Sequence, residues 1–127
     1  MFEDISITSY DSTKTQQIMD GHGLYSVHFT LSSKAPSEWA GIFDKQHDVG
    51  WYNKKRKAKA VGINIVVECP LNEMEDHLDI IKSEVAETNK LYRYHLAEKE
   101  KEERRKQEAT LKERQEIEDA GKHLKFD

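Results

Sequence analysis

Six histidines, a single cysteine and one block of aromatic and basic residues are the side chains of this 127-residue chain best equipped for chemistry. Histidine titrates near neutral pH, so it is the natural acid, base or metal ligand. His22, His28, His47, His77, His95 and His123 are scattered, with no His-x-x-x-His or Cys-x-x-Cys arrangement of the kind that marks a zinc site. Neither His77 nor His95 has a serine or cysteine beside it to make a nucleophile–base pair legible. Cys69 ends an apolar run and has no basic neighbour to favour its thiolate, which suits a small buried side chain. The glycines of "DGHGLY", Asp20 to Tyr25, precede a strand, whereas phosphate cradles place them between a strand and the following helix. Glu73 and Asp76 fall in the first turn of a helix, where carboxylates answer the macrodipole. The expectation is therefore no catalytic residue, no metal, no cofactor and no enzyme.

The segment "GWYNKKRKAKAVGINIVVEC", residues 50 to 69, carries a different chemistry. Trp51 and Tyr52 followed by Lys54, Lys55, Arg56, Lys57 and Lys59 combine stacking surfaces with phosphate-seeking charge, the pairing used for single-stranded nucleic acid. The block is short, and the chain around it is acidic, with a formal net charge of −4. The same cations also have a structural reading. Were the strand continuous back to Lys55, then Lys55, Lys57 and Lys59 would share a face with Val61, Ile63 and Ile65, an untenable place for ammonium groups. Regular pairing must then begin near Ala60, or Gly62 must mark a bulge that swaps the faces. The cations would project from a loop or strand end, reach the acidic start of the next helix, and discourage sheet-edge pairing.

These side chains need elements to position them. In "LYSVHFTLS", Tyr25, Val27, Phe29 and Leu31 alternate with polar residues, as in a half-buried strand. In "AVGINIVVEC" the expected buried set is Val61, Ile63, Ile65, Val67 and Cys69, and a weaker strand is expected near Ile5 and Ile7. Between them, Asp11 or Ser12 suits the cap of a helical turn ended by Gly21, with a loop as the alternative. Pro36, Glu38 and the spacing of Trp39, Ile42 and Phe43 predict a helix from about Pro36 to about Gln46. Pro70 ends the last strand, Asn72 and Glu75 read as a capping box, and no Pro or Gly intervenes before a stop at Gly121. At 1.5 Å per residue that helix would extend roughly 70 Å.

The helix has two halves. Leu71, Met74, Leu78, Ile81, Val85, Thr88, Tyr92 and His95 form an apolar stripe at three- and four-residue steps. From Glu98 the stripe stops, and pairs such as Glu100 with Arg104 sustain helix in its place. The expected fold class is α+β: a small three-stranded sheet, a short helix, and a long C-terminal helix whose first half covers the sheet. Residues 1–96 would form the small domain and residues 97–127 a charged helical extension and tail.

No apolar run approaches the roughly 18 residues of a membrane helix, and the start "MFEDISITSYDS" lacks a cationic, apolar leader. A cytoplasmic protein without a membrane partner is expected. The leading functional expectation is a non-catalytic interaction or adaptor protein that captures a protein partner or forms a homodimer, with Leu91, Tyr92 and Leu96 as contact residues. Trp51 is a further candidate anchor. The alternative is a nucleic-acid-binding regulator built on residues 51 to 59.

Overall fold

Val27, Phe29 and Leu31 alternate with His28 and Thr30, and the computed structural model, which describes residues 2–18, 23–52 and 55–126, buries the first set on one face of a sheet. In chain order the elements are β1 (Ile7–Gln17), β2 (Tyr25–Leu31), α1 (Ser37–Val49), β3 (Ala58–Val61), β4 (Asn64–Cys69), a 3-10 turn (Leu71–Glu73) and α2 (Met74–Lys122). The fold is α+β, and the sheet has four strands in the order β1-β2-β4-β3, every neighbouring pair antiparallel. Three strands were expected. The fourth arises because the run from Val61 to Cys69 is not one strand: it reverses at Gly62 and Ile63, and Val61 comes to lie opposite Asn64. Gly62 has φ +62, the left-handed conformation that a two-residue hairpin loop demands and that glycine adopts without strain.

The reversal also disposes of the lysine problem. Ala58 lies opposite Val67 and Ala60 opposite Ile65, so small side chains lie on the core-facing side of β3 while Lys57 and Lys59 are exposed. Ile65, Val67 and Cys69 are buried as expected, but Val61 and Ile63, expected with them, are exposed at the hairpin. A β-carbon at Gly62 would meet no heavy atom within 4 Å. Gly62→Ala therefore tests backbone strain alone and is expected to cost about 1–2 kcal/mol in urea denaturation.

Residues 12–17, read from sequence as a helical turn or loop, belong to β1. Asp11 pairs with His28 and Gln16 with Ser26, so residues 12–15 together face only Val27. Asp11 organises this bulge: its Oδ1 accepts from the Thr13 hydroxyl (2.6 Å), the Thr13 amide (3.1 Å) and the Lys14 amide (3.2 Å). Led by the Thr13 hydroxyl, these bonds hold the Asp11 carboxyl below its usual range. The Thr15 hydroxyl donates to the Asp11 carbonyl and accepts from the His28 amide, which rejoins the bulge to β2. Gly21 and His22 lie outside the described residues.

Both helices supply the other side of the core. α1 continues to Val49 rather than ending near Gln46, and buries Trp39, Phe43 and His47 at four-residue steps. The 3-10 turn before α2 is headed by Pro70 with no side-chain cap, so the Asn72–Glu75 capping box does not form the start of the helix. In α2 the buried residues are His77, Ile81, Val85, Thr88, Asn89 and Tyr92. The stripe is thus shorter and more polar than expected: Leu71 and His95 are exposed, and its polar members bond to neighbouring elements. Asn89 Oδ1 accepts from the Ile5 amide (3.1 Å) and from Trp39 Nε1 (3.0 Å), and its amide donates to the Ile5 carbonyl (2.8 Å).

The chain divides into two compact units, Met1–Arg93 and Tyr94–Asp127. In the first, the sheet has one face on the core and the other solvated, as antiparallel sheets permit. In the second, helical residues carry short-range ion pairs, among them Glu100 with Arg104 (3.2 Å) and Glu102 with Arg105 (2.8 Å). Pairs of this kind are worth only a few tenths of a kcal/mol each. Among the described residues no helix is long and apolar enough to cross a membrane.

Candidate functional site

The end of α1, the segment that follows it and the start of α2 meet in a polar cluster that reading along the chain does not reveal. His47, in the last turn of α1, is 1% exposed. Its Nδ1 lies 2.8 and 3.0 Å from the two carboxylate oxygens of Glu84, and its Nε2 lies 2.7 Å from the Arg56 carbonyl oxygen. Gln46 ties the same helices by donating to the Glu84 carbonyl (3.1 Å) and the Thr88 hydroxyl (2.7 Å). The ring of Phe43 stacks on His47 at 6.1 Å, and that of Tyr52 tilts against it at 6.0 Å.

A second carboxylate extends the cluster. Arg56 places Nε and Nη2 on the two oxygens of Glu73 at 3.2 and 3.1 Å, and His77 Nε2 meets Glu73 Oε1 at 3.0 Å. The Arg56 and His77 bonds hold the Glu73 carboxyl down at about 2. The rings of Tyr52 and His77 make an edge contact at 6.2 Å. His77 Nδ1, which is buried, meets no hydrogen-bond partner among the described residues. Burial, and after it the Glu73 charge, pushes the Cys69 thiol up to about 11, which keeps it neutral and unreactive. Among the described residues no group of three or more His, Cys, Asp or Glu could hold a metal ion.

The basic block is divided by this arrangement. Arg56 reaches the acidic start of the helical segment through Glu73. Lys55 donates its ammonium to the carbonyls of Asp48 (2.8 Å) and Gly50 (2.5 Å), satisfying the C-terminal end of α1 as a cation there should. Lys57 and Lys59 are exposed beside Asp44, Asp48 and Glu68, so their charge is interleaved with acids. Tyr52 is half-buried in the cluster, Trp51 is 87% exposed, and Lys54 lies outside the described residues. The elements expected to make one basic and aromatic surface thus face different surroundings.

On α2, Leu91 is exposed and Leu96 half-buried, but Tyr92 is 8% exposed with its ring edge-on to Phe2 at 4.7 Å.

Beside Trp51 the molecule opens into a groove of about 460 Å³ whose walls include Gln46, Tyr52, Asp79, Ile80 and Ser83. Trp51 stands out in the sequence but the groove does not, because α1 and α2 come together only in the fold. His47 was signalled by its four-residue spacing from Trp39 and Phe43; Glu84 and Arg56, at 37 and 9 residues' separation from His47, had no such local signal. No protein-family model matches the chain, and no curated protein or solved structure shows significant similarity to it.

Proposed function

We propose that this is a non-catalytic cytoplasmic interaction protein that captures a segment of a partner protein in the groove beside Trp51. One observation carries the reading: a tryptophan that is 87% exposed stands at the rim of an open groove with Ile80 in its wall. Large aromatic side chains are over-represented among residues that dominate binding energy, and an exposed one beside a shallow, open depression is a ready anchor. Val49, also exposed, adds apolar surface next to it.

Charge defines the occupant. Asp79 lines the groove, and helical spacing puts the exposed Asp76 and Glu87, with Lys90 a turn beyond them, on the same side of α2 while turning Lys82 away, so acids predominate there. The partner segment accordingly carries an apolar side chain for Trp51 and Ile80 flanked by Lys or Arg. Electrostatic complementarity of this sort steers encounter and sets register more than it sets affinity.

The test is selection from a displayed random peptide library, followed by titration of the chosen peptides. Apolar residues flanked by basic ones are expected, and Trp51→Ala should weaken binding at least tenfold, on the order of 1.4 kcal/mol, with thermal stability unchanged. No enriched pattern, or equal binding by the variant, would sink the proposal. Salt-sensitive binding of random oligonucleotides that depends on Lys57 and Lys59 would favour the nucleic-acid reading in its place.

A further inference from the structure

His47 is flanked on both ring nitrogens by groups that can only accept. The Glu84 carboxylate sits at Nδ1 and the Arg56 carbonyl at Nε2, at 2.8 and 2.7 Å. A neutral imidazole has one N–H, so it can satisfy one of them and must turn a lone pair toward the other; an imidazolium satisfies both. The second proton rests on the ring and not on Glu84, because imidazole is the stronger base.

We infer that His47 is a proton-dependent clamp: as an imidazolium it bridges α2 to the Arg56 carbonyl, and on losing a proton it gives that carbonyl up and loosens the contact that Tyr52, next to Trp51, makes with it. The remaining N–H stays with the Glu84 carboxylate, the stronger acceptor. The Nε2 lone pair then faces the carbonyl oxygen across a hydrogen-bond distance, and the carbonyl must move away. Arg56 keeps its side chain on Glu73 and Lys55 keeps its ammonium on the Asp48 and Gly50 carbonyls, so the change is local to the Arg56 carbonyl and to Tyr52, whose ring lies against His47 and which lines the groove with Trp51. The purpose assigned to the clamp, control of the groove, rests on the docking proposal; the clamp itself does not.

The charged and titratable groups around His47 set the direction. Burial opposes the imidazolium, but the Glu84 bond, the Arg56 carbonyl and the Glu84 charge together outweigh it, with Lys55 opposing weakly, and the ring is raised above its ordinary value of 6.5. From the segment after α1 the neighbours are Tyr52, Lys55 and Arg56; from the α2 side they are Glu84 and, beyond the Tyr52 ring, Glu73 and His77. Cys69, at the end of β4, remains a neutral thiol. A histidine whose folded value is raised contributes stability that is complete below 6.5 and is lost as pH rises through the folded value. The clamp is therefore closed in mild acid and opens toward alkaline pH.

The experiment is a pH titration of the whole protein labelled with nitrogen-15 at histidine and at the tryptophan indole, followed by NMR. Both His47 nitrogens should be protonated in mild acid, and its midpoint should lie above 6.5. The Trp51 indole signal should shift with the His47 midpoint. Glu84→Gln, which keeps the shape and removes the charge, should bring that midpoint to 6.5 or below. A His47 midpoint at or below 6.5, or a Trp51 signal indifferent to its titration, would overturn the clamp. No partner is present in this measurement, so a failed peptide selection leaves the clamp intact, and a failed titration leaves docking intact.

Discussion

Asn89→Leu is expected to cost about 3–6 kcal/mol, enough to unfold much of a small domain whose whole stability is about 5–15 kcal/mol. Leucine has the branched outline of asparagine with more bulk, so no packing is lost. What disappears is the set of bonds through which one side chain serves the Ile5 amide, the Ile5 carbonyl and Trp39 Nε1. Each partner is left buried and unsatisfied, at about 1–3 kcal/mol apiece, with some relief if water enters. Asn89→Asp should fall between, since a carboxylate still accepts from both N–H groups but repels the Ile5 carbonyl. Urea denaturation at 25 °C measures the difference. A loss under about 1 kcal/mol would mean that the N-terminal segment is not held to α2 through this residue.

Phe43→Ala should be comparably severe, at about 3–5 kcal/mol. Phe43 is fully buried and lies in a stack with the Trp39 ring at 5.9 Å and the His47 ring at 6.1 Å, both nearly parallel to it. Truncation opens a cavity at the centre of α1 and removes the surface against which His47 is positioned. For a domain of this size the expected fall in melting temperature is about 15–30 °C. Phe43→Leu, which keeps most of the apolar volume, should lose much less. A fall below about 5 °C for the alanine variant would show that the stack does not fix α1.

What was legible along the chain was what local periodicity encodes. The alternation of Val27, Phe29 and Leu31 identifies β2, the spacing of Trp39 and Phe43 identifies α1, and the absence of Pro and Gly from residue 71 to 120 identifies the long helix. The hairpin escapes the pattern because its turn is Gly62-Ile63 and not the usual Asn-Gly, and Val61 and Ile63 continue the alternation of Ile65 and Val67 across it. Residues 12–17 carry no apolar alternation, and the strand preference of Thr13 and Thr15 does not stand out among Ser, Lys and Gln; pairing with β2 and the Asp11 bonds hold them extended. That is tertiary context overriding propensity. In the candidate site, residue types such as Trp51 and Arg56 were visible, but which cation is engaged and which aromatic is exposed depends on partners that arrive from Asp48, Glu73 and Glu84.

Both margins of the sheet are closed to further growth. On β1, the Asp11 bulge takes residues 12–15 out of the ladder, which twists the backbone and leaves no straight run of amides for another chain to join. On the opposite margin, the short strand β3 has its Ala60 amide already occupied by Asp44 of α1, at 2.9 Å, beside the exposed Lys59. A concentrated solution of this protein should therefore resist the strand-by-strand accretion that begins fibrils, and whatever it associates with will meet helices and side chains before it meets backbone.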